Sequence, residues 1–105
     1  TDAPSGYLSN SKLEEIPNGF SISPAYPNPF NPEINIPFEL KKADRISISV
    51  FDVKGQLVKE IANDVFKSGF HNVHWNAENN PSGIYFIRLV NSSKQNLNTK
   101  ITLVK

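Results

Sequence analysis

Apolar and polar residues alternate with a period of two along several short stretches of the chain. In EINIPFEL (33–40), Ile34, Ile36, Phe38 and Leu40 fall on one face. In RISISVFD (45–52), Ile46, Ile48 and Val50 do the same, with Ser47 and Ser49 opposite. Successive side chains of a strand point to opposite faces, so the pattern predicts strands with one buried and one wetted side. The same reading gives strands over 20–26, with Phe20 and Ile22 sharing a face, and over 56–62, 70–75, 84–90 and 97–104. Residues 84–90, IYFIRLV, are apolar on both faces except at Arg88, which predicts a strand inside its sheet. In 97–104, Leu97, Thr99, Ile101 and Leu103 share a side. Pro37 has no N–H to donate and predicts an edge position or a bulge for 33–40.

Turn chemistry separates these stretches. The chain holds 13 asparagines, eight prolines and five glycines, and they cluster between the alternating runs. Asp52-Val53-Lys54-Gly55-Gln56 reads as a hairpin on a type I turn with a G1 bulge, Gly55 taking a positive φ. Asn63 and Asp64 open a predicted loop that runs to Gly69; 76–83 and 91–96 turn the chain again. Seven short strands at such spacing predict an all-β antiparallel sandwich, with a small barrel as the alternative. Residues 1–17, small and polar between Pro4 and Pro17, read as a flexible linker, in which Ser11–Glu15 suits one helical turn. The domain proper is 18–105.

AYPNPFNP (25–32) places prolines at 27, 29 and 32. Each biases the residue before it toward extended geometry, so the stretch is predicted stiff and without a regular ladder. Tyr26 and Phe30 are expected to pin it to one end of the sandwich. The other reading is a Pro-rich ligand for a second domain.

Composition narrows the function. Of 105 residues, 38% are apolar, enough for one small core. The net charge of +1 and scattered lysines, with Lys41-Lys42 the only doublet, give no basis for a nucleic-acid or anionic-membrane partner. The absence of cysteine excludes disulfides, zinc-thiolate sites and a thiol nucleophile. No 18-residue apolar run is present, and Thr1–Asn10 has neither the basic nor the apolar region of a signal peptide.

The candidate chemistry is sparse. His71 and His74 lie three apart, which sends them to opposite faces of a strand and argues against a shared metal or a general base. Asp52, Glu60, Asp64 and Glu78 sit in or beside turns, and no nucleophile-base spacing accompanies them. Trp75 and Tyr85 offer a sugar-stacking platform, but Trp75 shares the face of Val73, which predicts core. Tyr7, in the linker, is the aromatic expected to be exposed. Asn91-Ser92-Ser93 matches the N-glycosylation pattern.

Four stretches together carry a family likeness: YPNPFNPEINIPFEL (26–40), ISISVFDVKGQLVKEI (46–61), SGFHNVHWNAENNPSGIYFIRLV (68–90) and KITLVK (100–105). On them the chain resembles the type A C-terminal sorting domain of the type IX secretion system, over about residues 22–105. The turn Trp75-Asn76-Ala77 departs from the acidic or glycine-bearing turn common in that family. The resemblance implies a seven-stranded antiparallel Ig-like β-sandwich, similar to the Ig-like domain of the flagellar hook-capping protein. It implies a domain without catalysis, cofactor or metal, expected to be a monomer. Its implied partners are the outer-membrane type IX secretion machinery, a sortase-like cysteine protease and an N-terminal cargo domain. The cargo would pass through the periplasm and be secreted or held at the cell surface, with cleavage somewhere before Phe20. By position the resemblance assigns the transport signal to Gly83-Ile84-Tyr85-Phe86 and to Lys100–Lys105. The residues singled out are Gly83, Tyr85, Phe86, Lys100, Ile101, Leu103, Val104 and Lys105. The last strand is then expected to offer an edge or a free carboxylate to a receptor. The competing reading is an Ig-like accessory module that binds carbohydrate or packs on a catalytic neighbour. A coplanar pair of exposed aromatics would mark the carbohydrate-binding form. A flagellar cap-like module would instead form a homo-oligomer.

Overall fold

The computed structural model describes Glu14–Glu15 and residues 19–105. Most of the 1–17 segment, including Tyr7 and Ser11–Leu13 of the expected helical turn, lies outside the described residues. Glu14 and Glu15 are not helical: they form a two-residue strand. The strands are β1 (Glu14–Glu15), β2 (Phe20–Ile22), β3 (Glu33–Leu40), β4 (Asp44–Asp52), β5 (Leu57–Phe66), β6 (Gly69–Asn76), β7 (Gly83–Val90) and β8 (Asn96–Leu103). β2 to β8 are the seven expected from the sequence.

Two four-stranded sheets, β1-β2-β3-β6 and β5-β4-β7-β8, are antiparallel throughout. In immunoglobulin lettering, β2, β3 and β6 stand as A, B and E, and β5, β4, β7 and β8 as C′, C, F and G. The two inner faces close on one apolar core. Ile34, Ile36, Ile46, Ile48, Ile87 and Ile101 have no exposed surface. These are the alternating positions of β3, β4, β7 and β8, so the period-two pattern is what the sandwich buries. β7 lies between β4 and β8, the interior place its two-sided apolar sequence requires.

Three expectations are corrected. First, no loop spans 63–69. β5 continues to Phe66, and only Lys67 and Ser68 separate it from β6. The β4–β5 register slips between Val50 and Phe51 and again between Ile48 and Ser49, leaving Val58 and Ile61 without partners on β4. These two bulges put the part-buried Val58, Ile61, Ala62 and Phe66 on the core side at uneven spacing, so no period of two is visible. Second, β3 is an interior strand and Pro37 sits in it without a bulge. Backbone groups of Asn35 and Pro37 point toward β2: Asn35 exchanges both bonds with Tyr26, and the Pro37 carbonyl accepts from Ser23 N–H. β2 pairs only with Phe38–Leu40, so the missing N–H falls just beyond the end of that ladder. Third, Tyr26 does not pack into the sandwich end. It pairs with Asn35, whose β3 neighbours Ile34 and Ile36 point inward, so Tyr26 shares the outward side and stays half exposed.

Candidate functional site

AYPNPFNP crosses from one sheet to the other. At its start Tyr26 bridges Asn35 of β3; at its end Phe30 forms a parallel bridge with Leu103 of β8. The Tyr26-Pro27, Asn28-Pro29 and Asn31-Pro32 bonds are cis. Phe30 is buried, its ring 5.8 Å from that of Trp75. The segment also covers part of the β8 edge. Asn28 Nδ2 donates to the Lys100 carbonyl at 3.2 Å, and Asn28 Oδ1 accepts from Thr102 N–H at 3.0 Å. Phe30 N–H donates to the Thr102 carbonyl and its carbonyl accepts from Val104 N–H, both at 2.9 Å. An asparagine side chain thus supplies one rung of a β-ladder and a backbone unit supplies the next. The expected free edge of the last strand is therefore closed over 100–104. In an antiparallel strand alternate residues face each side, so Asn96 and Asn98 lie on the part of the edge that this segment does not reach.

The eight residues of the expected signal separate by environment. Tyr85, Ile101 and Leu103 are core residues. Tyr85 meets Trp75 edge-on at 5.6 Å, and its hydroxyl donates to the Pro81 carbonyl. A tyrosine at the start of the F strand bonded to backbone a few residues upstream is the corner seen in immunoglobulin sandwiches. Burial, and to a smaller degree the Asp52 charge, hold its hydroxyl pKa above the ordinary tyrosine value. Gly83 opens β7 at φ 154°, where a side chain would be strained. Phe86, Lys100, Val104 and Lys105 are exposed. Phe86 and Lys100 face one another across the β7–β8 ladder. Lys105 reaches the 77–82 turn: its N–H donates to Ser82 Oγ at 3.0 Å and its Nζ donates to the Glu78 carbonyl.

The remaining candidates fall apart in space. His71 stacks on Phe38 at the inner edge, its Nε2 2.6 Å from the Lys67 carbonyl. His74 faces out beside Glu33, 3.2 Å away. Asp52 Oδ1 accepts from Lys54 and Gln56 N–H within its hairpin. Trp75 and Tyr85 are both buried, so they form no stacking platform. Asn91 is buried too, with Nδ2 donating to Gln95 Oε1 and Oδ1 accepting from Ser93 and Gln95 N–H, which closes it to glycosylation in the folded domain. In the turn after Trp75, Asn76 Oδ1 accepts from Glu78 N–H, the bond an aspartate would make there.

Sequence reasoning missed the outer face of β5-β4-β7-β8. Phe51 pairs with Leu57 on one side and Phe86 on the other, and Phe86 pairs with Lys100. Arg88 lies over the Phe51 ring at 4.9 Å and donates through Nε to Asn98 Oδ1. Phe51, Phe86, Arg88 and Asn98, with Asp52, Val53 and Gly55 of the hairpin, line a shallow groove of about 360 Å3. Its sequence signal was the two-sided apolar character of 84–90.

Comparison with known proteins places this geometry. The family model described as "Secretion system C-terminal sorting domain" matches residues 24–104. No curated protein sequence matches the chain. Among solved structures, PorZ is similar over 80% of this chain, at 22% identity and a TM-score of 0.55. PorZ is an essential bacterial surface component of the type-IX secretion system of Porphyromonas gingivalis. A β-glucosidase from Listeria innocua, in complex with glucose, is similar over 91% of the chain at 14% identity, TM-score 0.56. These likenesses concern the fold. The chain spans 11% of the PorZ chain and 17% of the β-glucosidase.

Proposed function

The chain belongs to the family of secretion system C-terminal sorting domains, and from that membership we propose how its residues divide the sorting role. The domain is the signal that directs a protein through the type IX system, across the outer membrane to the surface or the medium. In our reading Gly83, Tyr85, Ile101 and Leu103 build the scaffold, and Phe86, Lys100, Val104 and Lys105 are the part a receptor touches. The observation that carries this is their burial: the first group is enclosed or backbone-constrained, the second is accessible.

The domain catalyses nothing and acts as a monomer appended to an N-terminal cargo. Residues 1–17 are its linker, and a sortase-like cysteine protease cuts within it, before Phe20. An accessory carbohydrate-binding role is not favoured, since the one aromatic pair that suggested it is core.

The test is a periplasm-directed reporter fused to residues 1–105, expressed in a bacterium with a type IX system. Deleting 100–105 would remove the buried Ile101 and Leu103 and so unfold the domain. Deleting only Val104 and Lys105 spares the core. The expected result is an unchanged melting temperature, within a few degrees, with loss of reporter from the surface and medium. Export at the level of the intact fusion would remove the terminal residues from the signal.

A further inference from the structure

The two outer faces of the sandwich differ in character. On β3, the outward positions include Glu33, Asn35 and Glu39. On the opposite sheet, the outward row Leu57, Phe51, Phe86 is apolar, extended by Val53 and Ile84. Val53 is 67% and Leu57 60% exposed. Along the same face run Arg45, Arg88 and Lys100, at outward positions of β4, β7 and β8. The nearby carboxylates are engaged: Asp52 by the hairpin amides, Glu60 by Asn63 Nδ2 at 3.4 Å. An exposed aromatic row with an arginine held on it is the composition of an interface centre. Among the described residues Arg45 and Arg88 are held by the neutral side chains of Asn63 and Asn98, and the positive charge of this face states what the occupant must carry.

Resting on the sorting reading above, we propose that this face docks a protein of the secretion machinery through a segment bearing apolar side chains next to a carboxylate. The apolar side chain enters the groove over Phe51 and Phe86. The carboxylate meets Arg88 and Lys100. Recognition then covers the middle of the β5-β4-β7-β8 sheet and extends beyond the terminal residues.

The test uses Val53 and Leu57, which are not among the eight residues of the expected signal and are exposed, so the core is untouched. Reporter fusions to residues 1–105 carry either V53D with L57D or V53K with L57K, and F70S on the opposite sheet serves as control (Phe70 is 83% exposed). All are checked for an unchanged melting temperature. The proposal predicts about tenfold or greater loss of export for the aspartate pair, a smaller loss for the lysine pair, and none for F70S. Equal export of the aspartate pair and the wild type overturns it, while leaving the sorting reading intact; failure of the wild-type fusion itself would overturn that reading instead. Self-association of the purified chain that the aspartate pair abolishes would assign the face to a second copy. Co-sedimentation with phosphatidylglycerol vesicles, lost in the aspartate pair, would assign it to a membrane. Either outcome contradicts a protein segment as the occupant.

Discussion

Asp52 and Asn91 hold the same place in two hairpins. Each accepts two backbone N–H groups through Oδ1, from the residues two and four positions on. In each the fourth turn residue donates its N–H back to the first residue's carbonyl and has positive φ, Gly55 at 82° and Lys94 at 68°. The geometry of the Gly55 turn was legible from its glycine; at 91–96 the sequence showed a turn but not its geometry, because lysine rarely takes that conformation. Asn91 is the more enclosed of the two, so Asn91→Ala is predicted to cost about 1–3 kcal/mol in urea unfolding. Tyr85 makes a pH prediction. Its raised pKa means the folded state holds the phenol proton more tightly than the unfolded chain. The resulting stability is complete below the ordinary tyrosine value, about 10, and is lost as pH rises through the raised one. Tyr85→Phe is predicted to lower stability at neutral pH by about 1–2 kcal/mol through loss of the bond to Pro81, and to flatten the alkaline fall seen in the wild type. An alkaline fall unchanged in the variant would place the titrating group elsewhere.

Among the strands, alternation revealed β3, β4 and β8 nearly to the residue, because each has one face in the core and no irregularity of its own, while β7 was found by its two-sided apolar run. β5 was cut short at Ala62 for a physical reason: its two bulges shift which residues point inward, and a period-two reading has no place for them. The role of AYPNPFNP was half legible. Proline spacing told of a stiff crossing, and Phe30 of its anchor. That Asn28 supplies a rung to β8, 74 residues away, depends on how the two sheets stack, which local pattern does not encode. Asn28→Ala is predicted to expose the Thr102 N–H and the Lys100 carbonyl while Phe30 keeps its own bonds. Amide exchange at Thr102 should then accelerate by about tenfold or more, with Val104 less affected. Equal acceleration at both would mean that the segment leaves the edge as a unit.

At the scale of the molecule, the sandwich separates a scaffold from a surface. The motif resemblance pointed to eight residues without distinguishing these roles; burial distinguishes them, since side chains of neighbouring residues on one strand have opposite fates. Tyr85 is enclosed and Phe86 accessible for no other reason than the pleat. The outer face of β5-β4-β7-β8 escaped sequence reading because its row draws on β4, β5, β7 and β8 at once. The central claim is that this domain alone suffices to send a protein out through the type IX system. The measurement is the fraction of a periplasm-directed reporter, fused to residues 1–105, that reaches the surface or medium of a bacterium with that system and of its mutant lacking the outer-membrane machinery. The account predicts export in the first and periplasmic retention in the second, with the unfused reporter retained in both. Retention of a folded fusion in the intact strain, or equal release from both strains, would contradict it.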